Sequence, residues 1–118
     1  MPFSVTATDR GSSARLGMLA LGRGTVQTPC FMPVGTNATV KAMRTADLEG
    51  LGVNLILSNA YHLYLRPGAE VIGAAGGLHA FMGWPHNILT DSGGYQVFSL
   101  AQFRTVAEEG VTFRSHID

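Results

Sequence analysis

The residues with the most chemistry to offer lie in "LTDSGGYQVFSL", residues 89–100. An apolar run through Ile88 and Leu89 ends in a carboxylate, Asp91, followed by Ser92, two glycines, a ring at Tyr95 and an amide at Gln96. A carboxylate directly after a buried strand costs desolvation unless donors meet it. It accepts two parallel hydrogen bonds, which suits a partner with two adjacent N–H groups: an arginine, or the N1–H and exocyclic amine of a guanine-like base. The glycines let backbone approach a ligand closely, and Tyr95 offers a face for stacking on a flat ring. On the residues alone, two readings stand open. One is a purine-sized pocket; the other is an Asp-Ser-Gly-Gly helix cap with the tyrosine packed in the core.

Such a group must be carried by strands that end together. Residues 3–8 alternate apolar and polar, and "MLALGRGTVQTP" has the pattern of strand, glycine turn and strand, so a small antiparallel sheet is expected first. Next, "CFMPVG" (30–35) is a short apolar strand, "TADLEGLG" (45–52) a one-sided helix with a Thr cap, and "VNLILSN" (53–59) a nearly continuous apolar strand. That order is a βαβ unit. A further helix is expected from about Gly68 to Ala75 with Pro67 near its first turn, then a loop, "GGLHAFMGWPH", and the strand "NILTD". Strands apolar throughout are buried on both faces, as in parallel sheets with helices outside. The stretch "FRTVAEEGVTFRSHID" is expected to be a hairpin turned at Glu108-Glu109-Gly110.

The three core strands end in polar, small or turn-forming residues: Gly35-Thr36-Asn37, Ser58-Asn59 and Asp91-Ser92-Gly93. In parallel α/β folds, ligands bind at the carboxyl ends of strands, so three such ends point at one site. Taken singly, Ser58 and Thr36 are ordinary residues capping the next helices.

Composition narrows the classes. With 118 residues, 46% apolar and 14% charged, the chain has material for one core and too little charge for a disordered tail. Eight basic residues balance eight acidic ones, so no overall basic excess advertises nucleic acid. Cys30 is the single cysteine, which excludes an internal disulfide and fits a reducing, cytoplasmic compartment. It also leaves His79, His86 and His116 without the paired ligand spacing of a zinc site, so no metal is expected on this chain. No apolar run approaches the roughly 18 residues of a membrane helix, and "MPFSVTATDR" lacks the basic-then-apolar pattern of an export signal.

The stretches "FMPVGTNATVKAM", "LILSNAYHLYLRPG", "GWPHNILTDSGGYQVFSL" and "EEGVTFRSHID" resemble the N-terminal part of the bacterial tRNA-guanine transglycosylases, the queuine tRNA-ribosyltransferases, over nearly the whole chain from about Thr28. The resemblance implies a (β/α)8 TIM barrel with a small antiparallel N-terminal cap: residues 1–28 as cap and 29–118 as the first part of the barrel. It implies exchange of guanine at the tRNA wobble position for a 7-deazaguanine precursor of queuosine, through a covalent enzyme–RNA intermediate. It makes Asp91 the general acid/base facing the base and Tyr95 the stacking ring. Ser92 would support the pocket, while Val34 and Asn59 would line its ribose and base side. His62 lies close by in "YHL" and takes no catalytic step.

A full barrel takes about 250 residues, so 118 residues supply roughly three strand–helix units and an incomplete barrel. The nucleophilic aspartate, a second base-reading aspartate and the structural zinc subdomain that the resemblance implies therefore fall outside this sequence, and the chain alone is expected to be inactive. A homodimer is implied for the full-length enzyme. Two other readings remain: a non-catalytic tRNA-binding or partner subunit of the same family, and a barrel glycoside hydrolase using Asp91 as one of two carboxylates. The second lacks its partner, since Asp47 and Glu49 fall on a helix and Glu108 and Glu109 in a turn.

Overall fold

A computed structural model describes residues 2–114, so the whole "SHID" stretch, His116 included, lies outside the described residues. Three antiparallel strands come first, β1 (Phe3–Thr8), β2 (Arg15–Leu21) and β3 (Gly24–Thr28), in the order β1-β2-β3. This is the small sheet expected from the alternating pattern. A parallel pair follows, β4 (Leu55–Ser58) beside β5 (Asn87–Thr90), in the register Leu55↔Asn87 to Ser58↔Thr90. The chain ends in the hairpin β6 (Arg104–Ala107) and β7 (Gly110–Phe113), turned at Glu108 and Glu109.

The run at 30–35 forms less strand than its composition suggests. It meets β4 through a parallel bridge, Val34↔Leu57, in which Gly35 N–H donates to Leu57 O at 2.6 Å and Leu57 N–H to Pro33 O at 2.9 Å. Pro33 has no N–H to extend the ladder, so the pairing stops there.

Five short helices join these strands: α1 (Thr45–Gly50), α2 (Ala60–Leu65), α3 (Ala69–Ala74), α4 (Leu78–Met82) and α5 (Gly94–Ser99). Thr45 does not cap α1 as its type suggested; Arg44 holds that position, and the Asp47 carboxylate accepts from its backbone N–H at 3.2 Å and its guanidinium at 2.7 Å. The guanidinium keeps the Asp47 carboxyl below its usual range, and the carboxylate raises Arg44 in return. Gly52, at φ 74, ends α1: its N–H reaches Glu49 O and the next N–H, of Val53, reaches Leu48 O. This Schellman pattern folds Val53 back against Leu48 in the core. α2 stops before Pro67, which forces Arg66 into extended backbone. α2 and α4 fall where no helix was expected, and α3 falls where one was.

The core gathers Leu48, Ile56 and Trp84, with Val40, Met43, Val53, Met82 and Ile88 packed around them. Trp84 is 2% exposed and donates its indole N–H to Asn87 O at 3.0 Å, so its one polar atom is satisfied inside the core. Asn87 ties the first sheet to the parallel pair. Its Oδ1 accepts from Arg23 N–H at 3.2 Å, and its Nδ2 donates to Gly24 O at 3.3 Å and Asn54 O at 3.4 Å. The β2–β3 turn is thereby docked on the amino ends of β4 and β5, leaving their carboxyl ends clear.

Candidate active site

At the carboxyl ends, the bridge Val34↔Leu57 and the pair Ser58↔Thr90 bring three chain segments level. Ser58 is fully buried, and its hydroxyl donates to Gly35 O at 2.9 Å, which clamps the first segment to the second. It is a tie between strand ends and not the helix cap its type suggested. Asn59 is the cap: its Oδ1 accepts the His62 N–H at 3.1 Å and starts α2.

Asp91 continues the ladder, donating its backbone N–H to Ser58 O at 3.3 Å. Its carboxylate is held from both sides, with Oδ1 accepting the Ala60 N–H at 2.8 Å and Oδ2 accepting the Asn59 amide N–H at 2.5 Å. The donors that offset its desolvation are therefore the first turn of α2 and the residue that caps it. Each carboxylate oxygen keeps a second lone pair, so the group can still receive two donors from a ligand. The Arg44–Asp47 ion pair and the His86–Glu49 hydrogen bond both lie away from Asp91.

The turn after Asp91 runs through Gly93 at φ 72, a left-handed conformation that glycine adopts without strain, and α5 begins there with no side-chain cap. Asp91 thus does not cap α5, and Tyr95, 75% exposed, is not packed in the core. Both parts of the capping alternative fail. Ser92 is exposed and its Oγ lies over Gly94, 3.3 Å from where a Cβ there would sit. Val34 is 52% exposed at the end of the first segment.

Asn59 and Asp91 are therefore brought into contact at the strand ends, with Ser92 following Asp91 in the turn, Tyr95 in the first turn of α5, and Val34 on the other side of β4. His62 takes part through its backbone, and its ring meets the Tyr61 ring edge-on at 5.6 Å. Tyr61 also packs on Phe113 at 5.1 Å, which holds the β6–β7 hairpin against this end of the molecule. Two features of the site escaped sequence reasoning: the pairing of Asn59 with Asp91, and the burial of Gln96. An asparagine three residues before His62 was the available signal for the first, since that spacing is a helix cap.

A cavity of about 570 Å³ opens on the outer flank of the first segment, lined by Phe31, Val34, Met43, Leu48 and Leu51 among others, and by none of Asn59, Asp91, Ser92 or Tyr95. Among the described residues, no group of three His, Cys, Asp or Glu side chains is placed to hold a metal, and no helix is long and apolar enough to cross a membrane.

An α/β protein with parallel strands converging on a carboxylate at their carboxyl ends is the class that fold and site define. Residues 9–118 match the family model described as Queuine tRNA-ribosyltransferase, and the chain belongs to that family. Over 116 residues it is 61% identical to the queuine tRNA-ribosyltransferase of Moorella thermoacetica and 61% identical to that of Treponema denticola, covering 98% of this chain and 31% of each relative. The enzyme of that name from Novosphingobium aromaticivorans is 58% identical, with 30% of its length covered. The chain thus spans about a third of the length of the curated relatives it matches.

Proposed function

We propose that this sequence forms the cap (1–28) and the opening strands (29–118) of a (β/α)8 barrel in a longer enzyme, a pentosyltransferase that exchanges guanine at the tRNA wobble position for a 7-deazaguanine base. The observation that carries the reading is Asp91: a carboxylate at the level of two other strand ends, fixed by Ala60 N–H and Asn59, with lone pairs to spare. A guanine presents N1–H and its exocyclic amine to those lone pairs, and Tyr95 supplies an exposed ring to stack on it.

In the first half-reaction the bond between ribose C1′ and guanine N9 breaks with its electron pair leaving on the base, a carboxylate from outside this sequence bonds to C1′, and Asp91, entering this step in its protonated form, gives its proton to the departing base and is left as the carboxylate. In the second, Asp91 takes a proton from the incoming base, whose ring nitrogen displaces the enzyme carboxylate from C1′. Ser92 supports the pocket, while Val34 and Asn59 line its ribose and base side. Structural zinc, implied by the family, does not fit the residues described here, because Cys30 is a lone exposed thiol with no cluster around it; its site is assigned to the remainder of the longer chain. A cytoplasmic homodimer acting on tRNA is the working form proposed for that chain.

Incubating the full-length protein with labelled guanine and tRNA carrying wobble guanine tests the reading. Label should enter the tRNA. The second reading, a subunit that binds tRNA without chemistry, draws on the hydrogen bond that each Asp91 oxygen already accepts within the fold, a tie that needs no substrate, and it predicts tRNA binding with no label incorporated.

A further inference from the structure

We infer that Ser58 is a positioning residue for base exchange, its buried hydroxyl fixing the distance between the Val34 side of the site and Asp91. The inference rests on the base-exchange reading above and adds to it a residue that touches no substrate. Ser58 ends β4, the middle of the three segments, and it holds both neighbours. On one side its hydroxyl donates to Gly35 O at 2.9 Å; on the other its backbone O accepts the Asp91 N–H at 3.3 Å. The next residue, Asn59, grips the Asp91 carboxylate.

The hydroxyl stands where the backbone ladder gives out. In a parallel pair a residue's N–H and C=O reach the residues before and after its partner, and Leu57 does this with Pro33 O and Gly35 N–H. The next rung would run from Asn59 N–H to Gly35 O. Asn59 instead leaves the strand as the cap of α2, and the Ser58 hydroxyl supplies the donor to Gly35 O. Water has no access to take its place. Ser58 is 0% exposed, Met82 Sδ lies 3.9 Å from its oxygen, and Met82 Cε and the Thr39 backbone come within 3.5 and 3.4 Å of the point where a Gly35 Cβ would sit. Without the hydroxyl the buried Gly35 carbonyl is unsatisfied, and the first segment is freed to shift beyond its single bridge at Val34. The Val34 side of the site then moves relative to an Asp91 that Asn59 and Ala60 still hold.

The test is a double-mutant cycle on guanine exchange by the full-length enzyme, with Ser58→Ala, Val34→Ala and the pair compared at equal folded fraction. Ser58→Ala should lower kcat about tenfold, short of the roughly hundredfold that an ångström of misplacement can cost, because the Val34↔Leu57 bridge still holds the segment. KM for tRNA should stay within about twofold, since the hydroxyl contributes no contact to the bound RNA. Val34→Ala should lower kcat as well, and in that background Ser58→Ala should lower it no further, because the side chain it positions has gone. Where Ser58→Ala does not fold, Ser58→Cys, which keeps the shape and weakens the donor, takes its place in the cycle.

A tie that serves the fold alone behaves differently. It lowers the melting temperature and leaves kcat at equal folded fraction unchanged, and that result overturns the inference. A cycle in which the two losses of kcat multiply also overturns it, since Ser58 would then act by a route other than Val34, as does a Ser58 variant that raises KM and keeps kcat. Failure of the underlying function shows separately, as a parent enzyme that exchanges no guanine into tRNA, and it takes this inference with it.

Discussion

At the scale of single residues, the arrangement around Asp91 makes an unusually sharp forecast because its two oxygens and the Asn59 amide form a chain with fixed polarity. Asn59 Oδ1 is committed to His62 N–H, so its NH2 must face residue 91. In Asp91→Asn the lone oxygen can take the Ala60 N–H, but the new NH2 then meets the Asn59 NH2, donor against donor. An unsatisfied pair of this kind costs about 1–3 kcal/mol, and the full-length protein should melt measurably lower. Adding Asn59→Asp reverses the polarity: the new carboxylate accepts from residue 91 and still caps α2, since Asp caps about as well as Asn. Thermal melts of the parent, single and double variants check this. Recovery in the double variant is the expected outcome, and a double variant as unstable as the single one would show that the pairing does not hold the carboxylate.

At the scale of elements, what positions the site is the docking of the β2–β3 turn on one end of the parallel strands and the glycine elbow at the other. Asn87→Ala removes three side-chain hydrogen bonds and strands Arg23 N–H in a part-buried setting, so denaturant melts should show a loss of about 1–3 kcal/mol. Because Asn87 sits at the amino ends, KM for tRNA in the folded protein should not move; a changed KM would mean that the two ends are coupled. Gly93→Ala tests the other end. A Cβ there meets only ordinary contacts, but the φ of 72 costs an L-residue about 1–2 kcal/mol, and relief of that strain by turning the elbow should lower exchange more than it lowers stability.

The strands were legible in the sequence because "VNLILSN" and "NILTD" are apolar without a break, and Asp91 stood out as the charge that ends such a run. The helices α2 and α4 were not, because six and five residues are too few to display a 3.6-residue period. Gly77 and Gly83, which bracket α4, resemble the punctuation of a loop equally well. Val34 was placed on a strand that Pro33 cuts to a single bridge. The partners of Asp91 were hidden for a different reason: the pairing with Asn59 spans 32 positions, and only the parallel register makes those residues neighbours.

At the scale of the whole molecule, the described chain is open. Its radius of gyration is 17.3 Å, against about 13–14 Å for a compact domain of this length. Phe31 is 83% exposed beside the 570 Å³ apolar cavity, and the first segment has a free edge where a closed barrel would place its last strand. A polypeptide limited to these 118 residues should therefore associate or melt without cooperativity; a monodisperse monomer with a sharp transition would contradict the barrel reading. The same polypeptide should incorporate no labelled guanine, because on the base-exchange proposal the nucleophile lies outside it. The most direct measurement of the central claim is the guanine-exchange rate of the full-length Asp91→Asn/Asn59→Asp variant, compared with the parent at equal folded fraction. The swap keeps the hydrogen-bonded frame and moves the proton-carrying carboxylate off position 91. If Asp91 transfers the proton, exchange falls by about 10²- to 10⁴-fold although the melting temperature is restored; near-parental exchange in the restored variant would contradict it and leave Asp91 a structural tie.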